Sequence, residues 1–551
     1  MKRQIEATGC AWLLASIAFI SLCWGSAASA APTPTFRATA TGTVGNLTIA
    51  ASMEVADADA GKNGSVYLLA KFSGGWYAHN GTSWALWRSG PVPAHSTGTL
   101  TNRSIEVARD ANASSLAGMQ VFLGYGLNET DMLANGKYDL VYTLAEPVTV
   151  ARSSQQRVIA PNVSDADKAA LASGNSAFAF DLYRRLQNDP ALNGENIFFS
   201  PLSISVALAM TYAGANGPTA SEMAGALRFA LPSKQLHPAF GWLDLELMSR
   251  GQGALGKDGQ PFRLSVSNSL WGDRLSKFET PFLDTLAQYY GAGINLVDFR
   301  AAPDPSRTRI NDWVAEKTEQ RIKDLIPQGS VTNATRLVLT NAIYFNAAWQ
   351  SKFLKQGTVK APFTRLDGAA ITVDMMSQDA RLRYTAGPDY QAVELPYDGG
   401  ELGMLIILPA AGRFVLVDQA FDTAALNTVL GALGSQNLRL GVPKFRVEGG
   451  FSVKAAMQAL GMQTAFTDRA DFTGISGTEA LLIQDIFHKS FADIDENGTE
   501  AAAATGVLVG TTSIPVTPTV FRVDRPFLFF ILDKKTGTIV FLGRLLSPKS
   551  S

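Results

Sequence analysis

Residues 496–513 read Glu-Asn-Gly-Thr-Glu-Ala-Ala-Ala-Ala-Thr-Gly-Val-Leu-Val-Gly-Thr-Thr-Ser, with no proline and, after Glu500, no charge. Exposed segments near a C-terminus usually carry proline, lysine or aspartate that block the addition of a strand. This run lacks those guards and is suited to becoming a strand itself. In an extended chain Thr499, Ala501, Ala503, Thr505, Val507 and Val509 point to one side, and Glu500, Ala502, Ala504, Gly506, Leu508 and Gly510 to the other. The first set is small or β-branched throughout. It can be buried on a helix-covered face with only two threonine hydroxyls to satisfy.

The chain has 551 residues, enough for two or three domains. Its formal net charge is −1 with 17% charged residues, which gives no reason to expect a nucleic acid or an anionic membrane as partner. A hydrophobic content of 46% suits a packed core. The N-terminus reads as a signal peptide over residues 1–30: Lys2 and Arg3, an apolar run from Ala11 to Leu22, and a small-residue cleavage site at Ala28-Ser-Ala30. The apolar run is short for a membrane span. Both cysteines, Cys10 and Cys23, fall inside that leader, so the mature chain has no disulfide, thiol nucleophile or thiolate metal site. A secreted product, extracellular or periplasmic and of bacterial type, is the expectation.

Residues 32–150 alternate short apolar runs with turn residues: Ser65-Val-Tyr-Leu-Leu-Ala70, Trp84-Ala-Leu-Trp87, Gln120-Val-Phe-Leu-Gly124 and Tyr138-Asp-Leu-Val-Tyr142. That spacing predicts a small all-β sandwich, followed by a linker at 151–164. Residues 165–551 form the third region. Periodicity predicts helices at Asp167–Leu186, at Leu202–Ala213 behind the Ser200-Pro201 cap, at Arg307–Leu325 and at Ser452–Leu460. Strands are predicted at Leu337–Phe345, Gly403–Leu408, Asn437–Val442, Phe527–Leu532 and Ile539–Leu545. The mixed order without a βαβ rhythm indicates an α+β domain.

Catalytic signatures are missing. No serine stands in a Gly-x-Ser-x-Gly elbow, and the four histidines, His79, His95, His237 and His488, show no metal-ligand spacing. His79 and His95 are expected in surface turns and His237 in a loop before Pro238. Asp57, Asp59 and Gly61 lack the ligand series of a calcium loop. Trp76, Tyr77, Trp84 and Trp87 suit cross-strand packing, or alternatively a sugar-stacking face. The chain is not expected to be an enzyme, and no cofactor is implied.

Five blocks, in order, carry a family resemblance: Asn196-Ile-Phe-Phe-Ser-Pro-Leu-Ser-Ile204, Thr335-Arg-Leu-Val-Leu-Thr-Asn-Ala-Ile-Tyr-Phe-Asn-Ala-Ala-Trp349, Ala392-Val-Glu-Leu-Pro-Tyr397, Arg525-Pro-Phe-Leu-Phe-Phe530 and Phe541-Leu-Gly-Arg544. With the run at 496–513 they resemble the serpins, suicide inhibitors of proteases, over roughly residues 165–548. Several dispersed motifs in order are far more specific than one short pattern. The resemblance implies a serpin fold of three β-sheets and eight to nine helices. It implies a shutter of Ser200, Ser203, Asn341 and His488 under the central sheet, and a breach at Trp349. It implies a hinge of Glu496, Gly498, Thr499, Glu500, Ala501, Ala502, Ala503, Ala504 and Thr505. The family's spacing places the reactive bond at Thr512–Ser513, with Thr511, Val509 and Leu508 as neighbouring alternatives.

The implied partner is a serine protease held as a covalent acyl complex by a monomeric inhibitor. After cleavage the loop would insert between two parallel strands. At about 3.3 Å per residue, Gly498 to Thr512 would carry the protease on the order of 50 Å. A threonine before the bond suits an elastase-like or subtilisin-like enzyme. Two other readings stand beside this one: a non-inhibitory serpin, and a polysaccharide- or surface-binding protein acting through its N-terminal module.

Overall fold

The structure is a computed structural model of the chain, and its described residues are 34–43, 46–113, 116, 118–144, 149–499 and 518–549. The expected leader, the hinge residues from Glu500 to Thr505 and the bond Thr512–Ser513 lie outside them. The chain divides between Pro147 and Val148 into two compact units.

The first unit holds a three-stranded sheet, β1 (Thr35–Thr43)–β2 (Asn46–Glu54)–β7 (Arg103–Ala111). Its second sheet runs β5 (Trp84–Trp87)–β4 (Gly75–His79)–β3 (Asn63–Phe72)–β8 (Gln120–Gly126)–β9 (Tyr138–Thr143), with β6 (Ser96–Thr99) beside β3. Alternate residues of β2, Leu47, Ile49, Ala51 and Met53, turn inward onto Val66, Leu68, Val121, Leu123 and Tyr125 of the other sheet. That is the packing of a β-sandwich. One short helix, α1 (Glu129–Ala134), interrupts the all-strand pattern where Asn128 accepts a hydrogen bond from the Asp131 amide. Trp76 lies opposite Trp87 and packs on Phe122 with ring centres 5.1 Å apart. His79 and His95, expected in surface turns, are half-buried with their Nδ1 atoms 2.9 Å apart.

The second unit is α+β. Its central sheet runs β10 (Thr149–Ala151)–β13 (Ile294–Val297)–β12 (Arg263–Asp273)–β14 (Leu337–Ala348)–β22 (Gly498–Thr499)–β21 (Ile486–Asp495)–β20 (Phe445–Ser452). A nine-stranded sheet runs β11 (Ile197–Phe199)–β25 (Thr538–Leu545)–β24 (Phe527–Asp533)–β18 (Leu402–Pro409)–β17 (Tyr390–Pro396)–β16 (Ala370–Ala386)–β19 (Gly434–Pro443)–β23 (Thr519–Arg522), with β15 (Val359–Thr364) on β16. Two of the three expected sheets share one hydrogen-bonded path. The reason is β16, whose 17 residues pair with β15, β19 and β17 in succession.

The predicted strands all form. The helix expected at Asp167–Leu186 is α2 (Asp165–Gln187), capped by Ser164. Ser200 and Pro201 open α3 (Pro201–Tyr212), with the Ser200 hydroxyl accepting from the Ser203 amide. Then follow α4 (Gly217–Ala226), α5 (Ser233–Met248), α6 (Thr280–Thr285) and α7 (Pro303–Lys317). The last is shorter than the Arg307–Leu325 expected. Thr318 donates its hydroxyl back to the Val314 carbonyl, and Glu319 and Gln320 take φ of 49° and 62°, which ends a right-handed helix. His237 was expected in a loop but sits buried within α5, bonded to Tyr290 and Ser233. The segment expected as a linker is fastened. Ala151 pairs with Ile294, Ser153 bonds Asp284, Arg157 pairs with Asp244, and the Val158 amide donates to the Gln288 carbonyl.

One face of the central sheet is covered in two zones. Leu339 and Ile486 pack under Phe178, Leu182, Ile204 and Leu208 of α2 and α3. Higher up, Ile343, Phe345, Ala347 and Ile494 pack against Phe198, Phe529 and Phe541. A strand with small side chains facing that side would therefore be buried along its whole length.

Candidate functional site: the seam between β14 and β21

β14 is buried at every position, as a central strand covered on both faces must be. It runs parallel to β21 from Leu339 opposite Ile486 to Ile343 opposite Ser490. Above that, β22 lies between them: Thr499 pairs with Ala347 and Ile494, and Gly498 with Ala348 and Asp495. The two strands thus pair directly below and stand a strand apart above.

Polar residues gather under the directly paired part. Ser200, Ser203, Asn341 and His488 are all buried there. The Ser200 amide donates to His488 Nε2 at 3.2 Å, so Nδ1 carries the proton and donates to Asn341 Oδ1. Asn341 Nδ2 donates to Ser203 Oγ at 2.7 Å. Sequence reading missed Asn268 of β12, which completes the set. Its Oδ1 accepts from Ser203 Oγ at 2.9 Å and from Asn341 Nδ2 at 2.8 Å, and its Nδ2 returns a bond to the Ser203 carbonyl. An amide inside a strand with an otherwise ordinary pattern was the only available signal. Ser490 Oγ adds a bond to the Phe198 carbonyl. Burial pushes the His488 pKa down from 6.5 to about 3, so the ring is neutral. A second proton at Nε2 would face the Ser200 N–H.

The upper end is a hairpin from Asp495 to Gly498. Trp349, paired by a bridge with Tyr397, holds it: its indole N–H donates to the Asp495 carbonyl and its amide to the Asn497 carbonyl, each at 2.9 Å. Trp349 stacks on Tyr397 at 4.7 Å, and the Tyr397 hydroxyl lies 2.9 Å from Thr499 Oγ1. Burial raises the Tyr397 pKa, keeping it a neutral hydroxyl. Glu496 is buried too. Burial opposes its ionisation, but hydrogen bonds from Thr358 and Lys444 prevail and hold its carboxyl below the usual range. Gly498 has φ of 151°, and a Cβ there would stand 2.1 Å from the Ala347 carbonyl oxygen. Only glycine fits.

The structure brings Ser200, Ser203, Asn341 and His488, the residues expected to form a shutter, together at one level, and Trp349, Glu496, Gly498 and Thr499 at another. Among the described residues no group of three or more His, Cys, Asp or Glu could hold a metal. No described helix is long and apolar enough to cross a membrane.

The profile described as "Serpin (serine protease inhibitor)" covers residues 173–548. The chain belongs to the serpin family. An uncharacterized serpin-like protein of Thermococcus kodakarensis is 40% identical over 377 residues, spanning 68% of this chain and 85% of that one. Leukocyte elastase inhibitor of Bos taurus is 37% identical over 69% of this chain and 99% of its own. Antithrombin-III of Mus musculus is 36% identical over 72% and 85% respectively. Among solved serpin structures, human thyroxine-binding globulin in complex with its ligand superposes with a TM-score of 0.62 at 28% identity, covering 70% of this chain and all of that one. The thermophilic serpin tengpin in its native state gives 0.62 at 25% identity, over 73% and 99%.

Proposed function

We propose that this serpin inhibits serine proteases by suicide trapping, with the chain from Gly498 onward as the strand that enters the sheet. The observation that carries this reading is Thr499. It is already buried between β14 and β21, and the alternate positions that follow it, Ala501, Ala503 and Thr505, are as small. The fold is also that of a protein crystallised with a small molecule, the globulin in complex with thyroxine. A hinge free of bulk, charge and proline on its inward face favours an inhibitor.

The protease would attack the Thr512 carbonyl and form its acyl-enzyme. The cut loop then follows Thr499 down the seam. Each β14–β21 bond broken is replaced by bonds from the new strand to both neighbours, at about 1 kcal/mol net per added bond. The shutter amides and hydroxyls can change partners as the strands part, where an apolar seam could only repack. Threonine at the cleaved position favours elastase-like or subtilisin-like targets. The inhibitor acts as a secreted monomer.

Mixing the protein with elastase or subtilisin should give a covalent complex that survives boiling in SDS, and mass spectrometry of the released peptide should place the cut at Thr512–Ser513. Cleavage without that complex would leave a substrate and sink the proposal.

A further inference from the structure

Between the directly paired part of the seam and β22, Tyr344–Asn346 and Phe491–Asp493 face one another without strand pairing. The loop from Gly251 to Phe262, which joins α5 to β12, reaches this level. It is tied to β14 through backbone: the Ala348 amide donates to the Leu255 carbonyl at 3.0 Å, and the Lys257 amide to Asn346 Oδ1 at 2.8 Å. Gly256 makes the approach possible, since a Cβ there would lie 2.7 Å from Asn346 Oδ1. The Lys257 side chain then crosses to β21. Its ammonium donates to the Asp493 carbonyl at 2.8 Å and pairs with the carboxylates of Asp495 at 3.1 Å and Asp493 at 3.6 Å. Lys257 is fully buried. Such burial of a lysine is tolerated only with this many partners.

The Asp493 carbonyl is the telling partner. The two-residue hairpin closes on Asp495 and Gly498, so the backbone groups of Asp495 face the seam. Asp493 has the same parity, and its carbonyl points there too. It is an acceptor that a strand entering below Thr499 would need.

We propose that Lys257 is a positioning residue that clasps β21 to β14 and sets the barrier to loop insertion, a role that rests on the trapping mechanism above. The entering strand takes over the Asp493 carbonyl, and the ammonium must leave it. The clasp therefore stabilises the intact form and contributes nothing to the inserted one.

The test compares full-length wild type, Lys257→Met and Asp493→Asn, each intact and after cleavage within the loop by a non-serine protease. For Lys257→Met the intact melting temperature should fall while that of the cleaved form stays put. Inhibitory activity should decay on warming on the order of tenfold faster, the fold-change that follows from losing one charged hydrogen bond. The share of protease held as SDS-stable complex, relative to released cleaved inhibitor, should rise. Asp493→Asn, at a partly exposed side chain, should shift all three readouts less and in the same direction, and it carries the test if Lys257→Met does not fold. Equal falls in intact and cleaved forms with an unchanged partition would overturn the clasp and leave Lys257 a structural ion pair. A wild type that neither gains stability on cleavage nor forms the complex would overturn the trapping mechanism itself.

Discussion

Single residues in the seam are constrained by what lies within 3 Å of them. Asn268 is the shared acceptor for Ser203 and Asn341, so Asn268→Ala leaves two buried donors without it. Each such group costs about 1–3 kcal/mol, and the intact protein should lose roughly 2–4 kcal/mol in thermal unfolding. Wild-type stability in that variant would show the cluster to be energetically idle. Thr499→Arg would require a guanidinium where a hydroxyl now meets Tyr397. Its burial costs several kcal/mol, so the variant should be cleaved as a substrate with little or no covalent complex on a gel. Legibility at this scale was uneven. Ser200, Ser203, Asn341, Trp349, Glu496, Gly498 and Thr499 were named from motif blocks, and His488 from the resemblance those blocks carry. Asn268, Tyr397 as partner of Thr499, and Lys257 were not, because their roles are set by strands distant in the chain.

At the level of elements, caps and periodicity read well, and edges read poorly. Ser200 marks α3 in the sequence because a cap is a local bond, whereas Ser164, which caps α2, fell within the segment expected as a linker. The short β10 has no such mark; it is a strand only because β13 offers it an edge. The consequence is measurable. A truncation that begins at Val148 keeps β10 together with the Ser153–Asp284 and Arg157–Asp244 contacts, whereas one that begins at Ser164 loses them all. Both should inhibit, but the shorter chain should melt about 1–4 °C lower, as a deficit of about 1–3 kcal/mol implies for a unit of this size. Identical melting curves would make the segment a passive tether. Loss of inhibition on removing residues 32–147 would instead give the sandwich a direct part in trapping.

Across the whole molecule, two buried histidines make stability depend on acid. His488 in β21 and His237 in α5 have pKa values pushed by burial from 6.5 to about 3 and about 4. The unfolded chain binds these protons below pH 6.5 and the folded chain does not. The stabilisation is therefore complete above that pH and is lost as pH falls toward 4, at about 1.4 kcal/mol per pH unit for each group. The intact melting temperature should drop measurably between pH 7.5 and pH 5.5, and replacing either histidine by glutamine should flatten the slope; a flat profile in wild type would refute it. The same scale separates what the chain announces from what folding decides. The capacity of the run after Gly498 to become a strand is written in its order of small residues, since alternation, bulk and charge are local properties. Whether a place exists for it depends on β14 and β21, which are more than a hundred residues apart in sequence, running parallel and separating at the level of Thr499. That seam, the polar cluster beneath it and the lysine across it exist only in three dimensions, because each is made by hydrogen bonds between segments that no pattern along the chain connects.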